Sequence, residues 1–167
     1  ETDVSADLYA LSENSNFVIC SGAKSILDLS KTNELLETLG ITRIGYQTNY
    51  MPGFWYEETE NKVDNKFDEI HEISSFLKLN ENMGNKKSIL IFNKVPLEKA
   101  LNKNDVEKWI NNATIKADRN NISGKELTPF LIKEINEQSK NETLNANVSL
   151  IINNANLAGK IAKSFYS

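Results

Sequence analysis

The most suggestive chemical feature of this chain is a lysine set among small residues. Ser21-Gly22-Ala23-Lys24-Ser25 follows directly on the apolar run Phe17-Val18-Ile19-Cys20. Such a run, ended by Ser-Gly, reads as a buried strand and its turn. In open α/β sheets, ligands sit beyond the carboxyl ends of the strands. A lysine in that turn reaches a ligand without obstruction. Its amine can hold a phosphate as a point charge, or attack a sugar carbonyl to form an imine. Attack needs a neutral amine, which desolvation or a neighbouring cation would supply. A solvated loop lysine is the plainer alternative, and the spacing leaves all three open. The Gly-x4-Gly-Lys-Ser/Thr spacing of a P-loop is absent.

The other candidates carry less. Asp3 and Asp7 flank Ser5. Carboxylates are hard oxygen ligands for Mg2+ or Mn2+, but a polar terminus with a helix cap also explains them. His71 is the single histidine and falls among acidic residues of a predicted helix, as a surface residue would. Cys20 is the single cysteine, so neither an internal disulfide nor a multi-cysteine metal site can form. At a strand end it reads as a small core residue. Tyr46, Tyr50, Phe54, Trp55 and Tyr56 form an aromatic cluster that reads as loop packing. Ser123-Gly124-Lys125-Glu126 reads as a turn between helices, although its glycine and lysine can also touch a phosphate. Four Asn-x-Ser/Thr sequons, at Asn112, Asn121, Asn141 and Asn147, are what chance gives in so Asn-rich a chain.

The elements that position these residues alternate in type. Strands are predicted at Phe17–Cys20, at Ile41–Tyr46 and at Ser88–Phe92. Between the first two lies a helix carrying Leu35, Leu36 and Leu39, with Thr32 as its cap and Gly40 as its stop. Gln47 to Asn65 reads as a loop. Ile70, Ile73, Phe76 and Leu77 mark the next helix, which Gly84 closes. Three helices fill the last third: one capped by Asn104, one started by Thr128-Pro129, and one from about Thr143 to about Phe165. Alternating strands and helices argue for an α/β fold with a parallel or mixed sheet. Three strands fall short of the usual sheet of about four to six, so a missing part should add strands.

Composition bounds the rest. With 167 residues, 40% hydrophobic and 25% charged, the chain can build one domain, or part of one, around a real core. The net charge is -4 and no basic block of five or more occurs, so a nucleic-acid surface is not indicated. No apolar run approaches the roughly 20 residues that span a bilayer. A single cysteine suits a reducing compartment, and a cytoplasmic location is expected. The chain does not begin with Met, so its natural N-terminus is expected upstream.

Several stretches together say more than any one of them. They are Ser5-Ala6-Asp7-Leu8, Cys20-Ser21-Gly22-Ala23-Lys24-Ser25-Ile26-Leu27-Asp28, and Leu36-Glu37-Thr38-Leu39-Gly40 leading into Ile44-Gly45-Tyr46-Gln47-Thr48. Ile122 to Leu131 (ISGKELTPFL) and Ala146 to Ala155 (ANVSLIINNA) follow. In this order and spacing, from Asp3 to near Ala162, the chain resembles the pseudouridine-5'-phosphate glycosidases, the indigoidine synthase A-like family. It departs from them at Asn49, Tyr50 and Met51, and at Asn93-Lys94.

The resemblance implies an α/β/α layered sheet, here incomplete. Residues 1–167 would be the C-terminal part of a single domain whose N-terminal half is absent. It implies reversible cleavage of the C–C glycosidic bond of pseudouridine 5'-phosphate, giving uracil and ribose 5-phosphate through a lysine Schiff base with the ring-opened sugar. Lys24 stands at the family's nucleophile position and Asp3 at its manganese ligand. Ser5, Ala6 and Asp7 stand at its substrate-contacting triplet, and Asn147 at an active-site asparagine. The absent half would supply the glutamate that donates a proton and a second lysine, so the isolated chain is expected to be inactive. A homotrimer is implied as well. The alternatives are a Schiff-base lyase for another sugar phosphate, and a non-catalytic sugar-phosphate-binding remnant.

Overall fold

The computed structural model describes residues 7–167. Four strands lie parallel within that span: β1 (Phe17–Cys20), β2 (Thr42–Tyr46), β3 (Asn65–Phe67) and β4 (Ile89–Phe92), in the order β1-β4-β2-β3. β4 is central and wholly buried, which is why Ile89-Leu90-Ile91-Phe92 shows no polar alternation. Its register sets Val18 opposite Leu90 and Ile44 opposite Ile91.

The pleat sends alternate side chains to opposite faces. On one face, Ile44, Ile89 and Ile91 pack on Ile73 and Leu77 of α3 (Ile70–Asn82) and on Leu157 and Ile161 of α6 (Glu142–Phe165). On the other, Leu90 and Phe92 pack with Leu8 of α1 (Asp7–Glu13) and Leu36 of α2 (Leu29–Thr38). The result is an α/β/α layering, as expected. A third cluster joins α4 (Lys103–Arg119), α5 (Leu127–Gln138) and Ala146 of α6 around the buried Trp55 and Tyr56. The aromatic segment after β2 therefore serves as packing, in line with its reading from sequence.

The sequence expectation of three strands is one short. β3 starts at the last residue of the predicted loop, and its Asn-Lys-Phe has a single apolar residue, too little for a strand signal. Tertiary contacts make it a strand. The Arg43 main-chain N–H donates to Asp64 Oδ2 at 2.8 Å, and its Nη2 lies 2.6 Å from Asp64 Oδ1. With Asp64 so fixed to buried Arg43, the next three residues pair with Ile44, Gly45 and Tyr46.

Helix starts also moved, each for a local reason. α2 is capped by Asp28, whose side chain accepts from Lys31 N at 2.9 Å. Thr32 lies inside the first turn and donates its hydroxyl to Asp28 O. α4 is capped by Asn102, which accepts from the backbone of Asn104 and Asp105. α5 begins at Leu127, out of a 3-10 turn at Gly124–Glu126, so Thr128 and Pro129 fall in its first turn, where proline's missing N–H is still harmless. Gly40 does end α2 as predicted, in the left-handed region at φ +66°, while Lys87 Nζ takes the Leu39 carbonyl at 2.7 Å.

Candidate active site

Lys24 stands where β1 runs out. The chain turns at Gly22, whose φ of +90° is left-handed and whose α-carbon faces Pro52: a Cβ there would lie 2.1 Å from the Pro52 carbonyl oxygen. Residues 52–54 clamp this turn along its length. Phe54 N donates to Ser21 O at 3.0 Å, and Ser25 Oγ donates to Gly53 O. Leu27 N closes the turn on Lys24 O at 2.9 Å. The backbone around Lys24 is thus held from one side by a strap, while its side chain stays exposed.

That side chain borders a cavity of about 860 Å³. Val18, Cys20 and Leu90 of the sheet line it, with Asp7, Asp28 and Thr128 at other points of its wall. Two of the residues singled out in the sequence, Lys24 and Asp7, thereby share one cavity. Asp3, Ser5 and Ala6 lie outside the described residues.

Asn147 does not line that cavity and is linked to the Lys24 turn only through the strap. It lies on α6, half-buried, and its Oδ1 accepts a hydrogen bond from Trp55 Nε1 at 2.6 Å. Trp55 continues the strap that clamps the Lys24 turn. A second asparagine of α6 ties the strand ends together. Asn154 Nδ2 lies 3.1 Å from Ser21 Oγ, and Asn154 Oδ1 accepts from Asn93 Nδ2 at 3.1 Å. Ser21, beside the Lys24 turn, is only 2% exposed. The sequence reading gave neither Asn154 nor the strap a role. Asparagine is a poor helix former, so Asn153-Asn154 inside a long apolar helix was a usable signal, hidden by the abundance of asparagine elsewhere.

Several candidates fall away. His71 is exposed on α3. Lys125 and Gly124 belong to the turn before α5, as the plainer reading had it. Burial, with Glu107 and Glu60 nearby, raises the Tyr56 phenol, which therefore stays protonated. Cys20 packs beside Leu90 and Phe92. Burial pushes its thiol up to about 11, against a hydrogen bond from the Gly22 backbone that lowers it. At pH 8 roughly one such thiol in a thousand is a thiolate. Maleimide labelling of the Cys20 peptide, followed by mass spectrometry, should therefore run at least about tenfold slower than for free cysteine. Labelling at the free-cysteine rate would contradict that burial. Among the described residues no group of three or more His, Cys, Asp or Glu is arranged to hold a metal ion, and Asp28 is engaged as a helix cap. No helix among them is long and apolar enough to cross a membrane.

Comparison with known proteins decides the family. The model of the family described as Indigoidine synthase A like protein matches residues 1–164. The chain belongs to this family. Indigoidine synthase A-like relatives named pseudouridine-5'-phosphate glycosidase include one from Kosmotoga olearia, 44% identical over 96% of this chain and 55% of the relative. Another, from Petrotoga mobilis, is 44% identical over 98% of this chain and 53% of its own length. The chain thus spans about half the length of the curated relatives it matches. An indigoidine synthase A-like protein from Thermotoga maritima superposes with a TM-score of 0.86 at 34% identity, covering 96% of this chain and 53% of that one. The prealnumycin C-glycosynthase AlnA, crystallised with ribulose 5-phosphate, superposes with a TM-score of 0.91 at 28% identity, over 98% of this chain and 54% of that one. The parallel α/β fold expected from the sequence is the fold of these relatives.

Proposed function

We propose that this chain is the C-terminal part of a single-domain pseudouridine-5'-phosphate glycosidase and carries its nucleophile, Lys24. The observation that carries the reading is the clamped turn after β1, which sets Lys24 at the rim of a cavity large enough for a nucleotide. The names of the relatives support the substrate.

In this reading Lys24 Nζ attacks C1' of the sugar, and the ring oxygen leaves and takes up a proton. Uracil C5 is then protonated. The C1'–C5 bond breaks with its electron pair staying on the uracil ring, and the lysine nitrogen lone pair forms the C1'=N bond. Water hydrolyses this imine, returning Lys24 and ribose 5-phosphate. A C-glycoside has no leaving oxygen to protonate, so a covalent electron sink replaces the two-carboxylate route of ordinary glycosidases. Asp7, with Ser5 and Ala6, holds the substrate, and Asn147 contributes a polar contact. Asp3 offers a hard oxygen donor of the kind Mn2+ takes, and the ion would neutralise substrate charge there. The proton donor comes from the N-terminal half, whose strands extend the sheet. Copies of the complete protein assemble as a trimer.

The test is to incubate the full-length protein with Mn2+ and pseudouridine 5'-phosphate and measure both products. Equal amounts of uracil and ribose 5-phosphate are expected, and none from residues 1–167 alone. A folded, Mn2+-loaded full-length protein that releases no uracil overturns the reading, and pentose-phosphate binding without turnover would leave a non-catalytic remnant. One observation favours a second reading, C-glycoside chemistry on another pentose 5-phosphate: AlnA is a C-glycosynthase that holds ribulose 5-phosphate.

A further inference from the structure

We infer that Trp55 is a positioning residue for the proposed site: its indole N–H turns the Asn147 amide so that a hydrogen-bond donor is offered to the substrate. This rests on the glycosidase reading above, which makes Asn147 part of the site.

The indole of Trp55 carries a single polar group. Its Nε1–H donates and cannot accept. The Asn147 atom 2.6 Å away must therefore be the carbonyl oxygen. The amide's NH2 then faces away from the indole, and among the described residues it makes no hydrogen bond. An asparagine free to rotate presents a donor or an acceptor equally well. Held in this way, Asn147 keeps its oxygen at the indole and turns its NH2 away from it, so the group it offers is a donor suited to an acceptor oxygen: a base carbonyl, a phosphate oxygen or a sugar oxygen.

Trp55 is itself rigidly placed. It is 3% exposed and sits in the cluster built by α4, α5 and α6. Its own N–H meets Gly53 O at 2.9 Å, and its carbonyl accepts from Leu101 N at 2.8 Å. The three residues before it clamp the Lys24 turn through Ser21, Gly22 and Ser25. One strap, residues 52–55, therefore fixes both the nucleophile's turn and the polarity of Asn147. Neither a cofactor nor a new contact is needed: the strap converts an ambiguous amide into a defined donor.

The test uses the full-length protein with pseudouridine 5'-phosphate and compares W55F, N147A, N147D and the W55F/N147A pair. Phenylalanine keeps an aromatic ring in the cluster but removes the N–H together with part of the buried indole, a packing loss that the double-variant comparison separates from the hydrogen bond. W55F is expected to lower kcat/KM by about tenfold, the order one hydrogen bond supplies. In the N147A background the same change should cost nothing further, because the group it orients is gone. A merely structural role for Trp55 would instead cost the same in both backgrounds. N147D keeps an oxygen for Trp55 but has no donor, so it should fall at least as far as N147A. Additive losses, a W55F enzyme equal to wild type, or an N147D enzyme as active as wild type would each overturn the inference. Should W55F not fold, the comparison of N147D with N147A decides. A wild-type protein that releases no uracil sinks the glycosidase reading and this inference with it, whereas an active wild type with an additive cycle sinks only the role of Trp55.

Discussion

Replacing Lys24 by alanine should lower uracil release from the full-length protein by on the order of 10^3-fold or more, because a covalent nucleophile has no local substitute. The fold should tolerate the change. The Lys24 side chain is exposed, and surface substitutions of this kind usually alter stability by less than about 0.5 kcal/mol. Loss of activity with an unchanged melting temperature is thus the expected pair of results. Borohydride reduction in the presence of ribose 5-phosphate should mark wild-type Lys24 with a covalent pentose phosphate and leave the alanine variant unmarked. Lys24→Arg separates the two chemistries the turn allows. Arginine keeps a cation for phosphate but cannot form an imine at neutral pH. If Lys24 acts through its charge alone, the arginine variant retains much of the activity. If it acts as a nucleophile, arginine is as damaging as alanine. An unmodified Lys24 in a folded, active protein would refute the imine route.

Gly22→Ala should damage both stability and activity, although it adds a single methyl group two residues from Lys24. Two effects combine. The backbone at φ +90° is one an L side chain rarely adopts. The new Cβ would also lie 2.1 Å from the Pro52 carbonyl oxygen, so strap and turn must separate. Backbone outliers of this kind cost about 1–3 kcal/mol each, and the clash adds to that. A melting temperature lower by several degrees is expected, from a loss of roughly 2–3 kcal/mol. Activity should fall further than the lost stability accounts for, even at temperatures where the variant is folded, because the strap that carries Gly53 and Phe54 also carries Trp55. A variant with wild-type melting temperature and turnover would show that the turn is not held as described.

Much of this was legible in the chain itself. The runs at Phe17, Ile41 and Ser88 announced β1, β2 and β4 to within about a residue, because buried parallel strands are continuous apolar segments. Lys24 was singled out for its place after a strand, and the structure puts it at a strand end beside a cavity. β3 was invisible, since its three residues owe their pairing to the Arg43–Asp64 contact and not to their own propensities. Thr32 and Asn104 are plausible caps displaced by Asp28 and Asn102, residues of equal or stronger capping preference a few positions upstream.

What the sequence determined by itself, then, was local: which segments bury, where helices stop, and which lysine follows a strand among small residues. Its motifs in register also identified the family. What only the tertiary structure decided was which distant groups meet. Gly22 needs glycine because Pro52 crosses it. Ser21 and Asn93 are joined through Asn154, and Asn147 takes its orientation from a tryptophan 92 residues away. Propensity and periodicity reach only a few residues along the chain, whereas a hydrogen bond between two loops depends on where the sheet and helices have already placed them.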